Sequence, residues 1–172
     1  MNLYLREIEE DDKKEIEKMA LEFQKANDEY PFEGVSDLKK VIDKSFEEYF
    51  NGLEINKHID EIYPAYANQT TYVLADDSNH IYGLINLRHE LKGKLTEIGG
   101  HIGYGVRPSE RKKGYATLQL KLVLDKLKEL NIDQALITCR ENNIASKKTM
   151  EKFIGKKDTL VPSNHEGIME YR

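Results

Sequence analysis

Arg111-Lys112-Lys113-Gly114-Tyr115-Ala116 is the stretch of this 172-residue chain best equipped to hold an anion. From Gly114 onward the apolar residues Ala116, Leu120, Val123, Leu127 and Leu130 follow steps of four, three, four and three, which is one face of an α-helix. The first N–H groups of a helix have no internal acceptor, and the aligned peptide dipoles add partial positive charge at that end. Gly114 removes a Cβ where a ligand would approach the backbone, and Ala116 keeps the next inward position small. Arg111, Lys112 and Lys113 add cations around the same point. The stretch therefore reads as a cradle for a diphosphate. A solvated basic loop before an ordinary helix is the plainer alternative, and the small-residue spacing and the preceding strand weigh against it.

Several elements must position that cradle. His101 to Val106 has the character of a strand, and Pro108 lacks the N–H that a central ladder needs, so pairing should stop there. Upstream, Leu3 to Ile8 is a first strand. Asp11 and Asp12 cap a helix over Lys13 to about Ala26, with Ile16, Met19, Ala20 and Phe23 on its inner face. Tyr30 to Gly34 breaks the pattern, and Ser36 starts a second helix carrying Leu38, Val41, Ile42, Phe46, Tyr49 and Phe50 until Asn51-Gly52. Thr71 to Ala75 and His80 to Arg88 form a hairpin around Asp76-Asp77-Ser78-Asn79, and His89 to Glu97 is a connection. After the central helix, Gln134 to Cys139 is a strand, reached by a right-handed crossover to a parallel neighbour. Ala145 to Phe153 is a further helix ended by Gly155, and Lys156 to Val161 and Ile168 to Arg172 are two last strands joined by Pro162 to Gly167.

The spacing Arg111-x-x-Gly114-x-Ala116 resembles the acyl-CoA signature of the GCN5-related N-acetyltransferases (GNAT). The order of elements strengthens the match: a strand ending Gly105-Val106-Arg107-Pro108, a long helix, the strand Ala135 to Cys139, then Asn142-Asn143-Ile144-Ala145-Ser146 opening a helix. The string Gly99 to Arg111, with Arg88-His89 ahead of it, looks like a bacterial subgroup of predicted acetyltransferases. The resemblance implies a mixed α/β (α+β) fold: a mostly antiparallel central sheet of about six to seven strands, helices on both faces, and two central parallel strands that splay apart. It implies acetyl-CoA as co-substrate, held through Val106 on the strand edge, the cradle from Arg111 to Ala116, and Asn143 and Ser146 at the following helix. In the family the region between the first two strands forms much of the acceptor wall, so Tyr30, Phe32, Tyr63 and Tyr66 are candidates for it, with core or rim packing as the competing role. In comparable members the last strand continues past the position of Arg172.

Acetyl transfer from a thioester to an amine needs an unprotonated nucleophile, donors for a developing oxyanion, and a proton for the departing thiolate. Presenting an alkyl amine deprotonated at neutral pH costs roughly 4.6 kcal/mol, which makes a base or a water relay useful. His101 titrates near neutrality, Glu97 lies just upstream, and Tyr104 carries an acidic hydroxyl on the same strand. His101 and Tyr104 are the first candidates for proton handling. Alternation puts His101, Gly103 and Gly105 on one face and Ile102, Tyr104 and Val106 on the other, unless the glycines admit a bulge. Many relatives carry a tyrosine acid where this chain has Met150, and a thioether cannot donate a proton. Tyr104, Ser146 or water would have to substitute, or the thiolate leaves unassisted. Loss of that tyrosine also fits a non-catalytic acyl-CoA-binding relative. A nucleotide-binding protein sharing only the anion site is a third class, but the P-loop pattern is missing.

Length and a hydrophobic fraction of 39% suit a single acyltransferase domain over residues 1–172. One cysteine, Cys139, excludes an internal disulfide and a multi-cysteine metal site, and no metal is expected. With no signal peptide or membrane span, a cytoplasmic enzyme fits. A net charge of −5 argues against nucleic acid as partner. Residues 1–60 carry 17 acidic and 9 basic side chains, and residues 105–160 carry 7 and 13. That asymmetry suits a phosphate-rich cofactor at one end and a cationic amine at the other, with solvated helix faces as the alternative. The acceptor is expected to be a small-molecule or peptide amine, and a homodimer is left open.

Overall fold

The computed structural model describes residues 2–154, 161–162 and 168–171. Four strands, β1 (Leu3–Glu7), β2 (Gln69–Asp76), β3 (Ile81–Arg88) and β4 (Ile102–Val106), pair antiparallel in that order. Three more, β5 (Ile137–Arg140), β6 (Val161–Pro162) and β7 (Ile168–Tyr171), form a second antiparallel sheet in the order β5-β7-β6. The two sheets meet where β4 and β5 splay. Gly100 and Ile137 make a single bridge at its base. There the His101 N–H donates to the Leu136 carbonyl at 2.7 Å, and the Gly99 N–H donates to Thr138 Oγ1 at 2.9 Å. Gly99 and Gly100 take φ of 96° and 61° to make this turn, and a Cβ on Gly100 would run into the Leu136 carbonyl. Leu136 is thus spent on the hinge, and β5 begins at Ile137, three residues after its predicted start at Gln134.

Helices cover both faces. α1 (Lys13–Lys25) buries Ile16, Met19, Ala20 and Phe23, the predicted stripe. These pack with Val73, Ala75, Ile81 and Leu84 of the first sheet. On the opposite face, α5 (Tyr115–Glu129) packs Leu120, Val123 and Leu127 against Tyr72, Ile85, Leu87 and Ile102, joined by Met150 of α6 (Ile144–Ile154). The expected end of α6 at Gly155 and most of both last strands' flanks lie outside the described residues.

Three local expectations are corrected. The helix predicted from Ser36 divides into a 3-10 turn (Ser36–Lys39), α2 (Lys40–Asp43) and α3 (Phe46–Asn56). Lys44 leaves helical geometry, and Ser45 restarts the helix by accepting the Glu48 N–H on its side chain at 3.1 Å. A short α4 (Ile59–Ile62) follows. Gly52 does not end α3, because the next turn still buries Leu53. Asp12 precedes α1 without capping it through its side chain. Its carboxylate instead takes both arms of Arg6 at 2.7 Å and the Glu9 N–H at 2.8 Å. The alternation expected along β4 is kept, since β3 and β4 pair without a register break from Gly83–Val106 to Leu87–Ile102. The bulge lies on β3, where Leu74 faces Gly83 and Ala75 faces Ile81, so Tyr82 is the extra residue.

The β2–β3 turn has a testable consequence. Asp76 accepts from Ser78 Oγ at 2.6 Å, Tyr82 Oη at 2.7 Å, and the Ser78 and His80 N–H groups at 2.9 and 3.1 Å. The Ser78 and Tyr82 hydroxyls hold its pKa down to about 2. A carboxylate whose pKa is depressed on folding stabilises above the unfolded value, and that contribution fades as pH falls through the folded one. Urea melts of wild type and Asp76→Asn should therefore differ by about 2 kcal/mol near pH 7, converging as pH drops from about 4 to about 2.

Candidate active site

The splay opens into one cleft of ≈1780 Å³, lined by both its strands, the starts of α5 and α6, residues 27–31 and 33–38, and the ends of β2 and β3. Ordinary small-ligand pockets span about 300–1,000 Å³, so this one has room for two ligands to meet.

The cradle is built from the strand end outward. Arg107 is buried and held by α1: its Nε donates to Glu22 and its NH1 to Glu15, both at 2.7 Å. Glu22 also accepts the Ser109 N–H at 3.1 Å. Burial works against ionisation of Glu22, but the Ser109 and Arg107 donors outweigh it and its pKa falls. Sequence reasoning missed this anchor, although Glu15 and Glu22 stand seven apart on one helix face. Beyond a 3-10 turn (Pro108–Glu110), Lys112 and Gly114 take φ of 65° and 90°, and α5 starts with no side chain capping it. A Cβ on Gly114 would meet nothing within 4 Å. Arg111, Lys112, Gly114, Tyr115 and Ala116 all line the cleft. Two of their side chains are engaged elsewhere, with Arg111 paired to Asp28 at 2.7 Å and the Tyr115 ring tilted against Tyr82 at 4.6 Å. What they offer a ligand is backbone. Lys113 pairs with Glu110 at 2.8 Å and is not part of the lining.

The neighbouring strand edge is also presented to the cleft. Because the Arg88 N–H reaches His101 O at 2.8 Å and the Arg107 N–H reaches Tyr82 O at 2.9 Å, alternation turns the N–H and C=O of Tyr104 and Val106 away from β3. The Tyr104 hydroxyl lies 2.8 Å from Ser146 Oγ, which in turn sits 3.9 Å from the sulfur of buried Met150. Burial pushes the Tyr104 pKa up to about 12, so the phenol is protonated at neutral pH. Asn143 caps α6, its Oδ1 taking the Ser146 N–H at 3.0 Å, while its Nδ2 donates to Glu33 at 2.9 Å. Cys139 is a buried thiol whose pKa burial raises.

His101 is not brought into this group. Its Nδ1 accepts the Leu136 N–H at 3.0 Å at the base of the splay, and it does not line the cleft. Burial and then Arg88 lower its pKa, favouring the neutral ring that this bond requires. Glu97 is exposed at the end of a 3-10 turn (Gly93–Thr96).

A strap spans both lips. Asp28 holds Arg111 on one side, while Glu33 takes Arg140 at 2.6 Å and Asn143 on the other, with the Arg140 guanidinium 4.1 Å above the Tyr30 ring. The acidic N-terminal segment is thus spent largely on the chain's own cations: Asp12 on Arg6, Glu15 and Glu22 on Arg107, Glu47 on Lys13. That corrects the picture of an acidic lure for a cationic amine. Of the candidate acceptor aromatics, Tyr30 and Tyr66 line the cleft, Phe32 stacks on Phe23 at 6.1 Å, and exposed Tyr63 packs against Tyr66.

Residues 2–153 match the family model of the acetyltransferase (GNAT) domain. The chain belongs to the GNAT acetyltransferase family. Every cleft residue named above falls inside the matched GNAT region. No curated protein matches the chain. Among solved structures, the GNAT fold here is similar to RimL, a ribosomal L7/L12 alpha-N-protein acetyltransferase in complex with coenzyme A, at 15% identity and a TM-score of 0.63, covering 99% of this chain and 94% of that one. It is similar to the ribosomal-protein-S5-alanine acetyltransferase from Vibrio fischeri at 14% identity and a TM-score of 0.61, covering 99% and 93%. A spermidine N-acetyltransferase from Vibrio cholerae, in complex with CoA and spermine, matches at 17% identity and a TM-score of 0.54, covering 98% and 94%. At such identities the likeness concerns the fold. Among the described residues, no helix is long and apolar enough to cross a membrane.

Proposed function

We propose that this protein transfers an acetyl group from acetyl-CoA to the primary amine of a small molecule or peptide, by direct attack with both substrates bound. The observation that carries the reading is a single cleft running from the uncapped helix start at Gly114, past the Tyr104–Ser146 pair, to the polar ends of β2 and β3. Acetyl-CoA, when bound, supplies the thioester as acyl donor. The N–H groups from Lys112 to Ala116 hold its diphosphate, and the outward edge of Tyr104 and the Val106 N–H hold the amides of its arm, the Val106 carbonyl being met by Arg111 Nε at 3.4 Å. The similar structures that contain CoA support the same cofactor class.

Tyr104 acts on the departing sulfur as a hydrogen-bond donor, oriented by Ser146. Full proton transfer from a phenol near 12 to a thiolate near 8.5 would run uphill by roughly 5 kcal/mol, so the thiolate takes up the proton that the attacking amine sheds, relayed through water. The amine loses its own proton through water in the open cleft, and His101 serves as a clasp of the splay.

The His101 assignment has a discriminating variant. Asn can present an oxygen close to the histidine Nδ1 position, so His101→Asn should keep the Leu136 bond, kcat/KM and its pH profile. His101→Ala should lose about 1–2 kcal/mol of stability. A histidine whose pKa is lowered on folding contributes above its unfolded value, so that loss is full above about pH 6.5 and shrinks as pH falls below it. A large fall in kcat for His101→Asn, with the acid limb of the profile removed, would restore His101 as the base.

The reading as a whole is tested by calorimetry with acetyl-CoA against ATP, followed by a thiol-release assay over a panel of amines. Buried Met150, in the place of a tyrosine, favours one second reading: an acyl-CoA-binding module without transfer. That reading requires tight acetyl-CoA binding and no thiol release with any amine.

A further inference from the structure

We infer that Arg88 reads a carboxylate on the acceptor, so that the amine acetylated here belongs to an amino acid. The inference rests on the acetyl-transfer reading and narrows its acceptor. Cross-strand register sets Gln69 opposite Arg88, Thr71 opposite Asn86, and Asn86 opposite Gly103, which puts these side chains on one face of the sheet at the acceptor end of the cleft. Arg88 is half-buried. Its NH1 donates to the Gly100 and Gly99 carbonyls at 2.9 and 3.4 Å, which staples the hinge turn and leaves Nε and NH2 without a hydrogen bond among the described residues. Arg6, Arg107, Arg111 and Arg140 each have a carboxylate at 2.6–2.7 Å, whereas Arg88 has none within 4.0 Å among the described residues.

A half-buried guanidinium without an anion is costly, and neutral carbonyls repay only part of that cost. Asp37 is the acid that acts on Arg88 electrostatically, but it is engaged by Asn56 at 3.2 Å and Lys40 at 3.9 Å. Lys94 lines the same end, while Lys92 beside it is matched by Glu90 at 2.7 Å and Asp60 at 3.4 Å, which leaves neither of those carboxylates to serve Arg88. Asn86 offers the complementary group: its side-chain oxygen is buried with no partner, on the residue facing Gly103 of β4. Asn86 and Arg88 stand two residues apart on a strand, about 6.6 Å. An ammonium and a carboxylate on one short carbon skeleton span that distance with a hydrogen bond at each end. The amine is thereby set beside β4, where Tyr104 lies, with its carboxylate on Arg88.

The test titrates the twenty standard L-amino acids, and matched amines lacking the carboxylate such as histamine, tyramine, cadaverine and ethanolamine, into the protein saturated with CoA. At least one amino acid should bind about 30-fold more tightly than its matched amine. Arg88→Gln should erase that preference while CoA affinity stays within about threefold of wild type, and Arg88→Lys should keep part of it. Matched amines binding as tightly as the amino acids, or no amino acid binding, would overturn the inference. So would an Arg88→Gln variant that weakens CoA and both ligand classes alike, since a turn staple alone would do that. The same pairs assayed for thiol release with acetyl-CoA separate the two readings. Carboxylate-selective binding without release upholds Arg88 and removes acetyl transfer, while release with the matched amines alone does the reverse.

Discussion

Gly114→Glu is expected to abolish acetyl-CoA binding, with a loss of more than about 100-fold by calorimetry, while the protein stays folded. The loss arises because the new carboxylate would occupy the space into which the α5 amides open, competing for the donors a diphosphate needs. The fold should survive because a side chain there meets nothing within 4 Å. Backbone strain is the confounding effect: at φ of 90° any L-residue costs about 1–2 kcal/mol. Gly114→Ala carries that strain without the charge, and its affinity should fall by less than about tenfold. Equal losses in the two variants would mean that loop distortion, and not occupation of an anion site, explains the result. Unchanged affinity in Gly114→Glu would remove the cradle from the mechanism.

Tyr104→Phe should lower kcat by roughly 100-fold with little change in the KM for acetyl-CoA. The phenyl ring keeps the packing against the second core, and only the hydroxyl that meets Ser146 is lost. An interaction made with the leaving sulfur acts in the transition state and not in the ground state, which is why kcat carries the loss. Ser146→Ala should show a smaller fall of the same kind, because it orients the hydroxyl without replacing it. Equal kcat in wild type and Tyr104→Phe would mean that the thiolate departs unassisted.

What could be read from the sequence was what local spacing determines. The α1 stripe of Ile16, Met19, Ala20 and Phe23, the hairpin around Asp76, and the turn into α5 each depend on residues within one or two helical turns or one tight loop. The Ser36–Phe50 helix was misread because apolar spacing continues across Ser45, whereas the Ser45 cap ends one helix and begins another. His101 shows a different limit. Its ring accepts from a backbone N–H 35 residues away, and nothing near His101 announces that a hinge there needs an acceptor. The Arg107 anchor reaches 85 and 92 residues back to α1. The charge imbalance between the chain's two ends was visible, but its destination was not: carboxylates of the first sixty residues are matched to guanidinium groups across the cleft, a pairing that only the folded chain reveals.

The strap also bears on the rhythm of the catalytic cycle. On the proposed acetyl-CoA reading, Asp28 and Glu33 grip the two lips that the nucleotide would pass, so each of its arrivals and departures would have to unfasten charged contacts at partly exposed positions. Departure of spent CoA is then a natural bottleneck of turnover. Added salt, which loosens contacts of this kind, should quicken it.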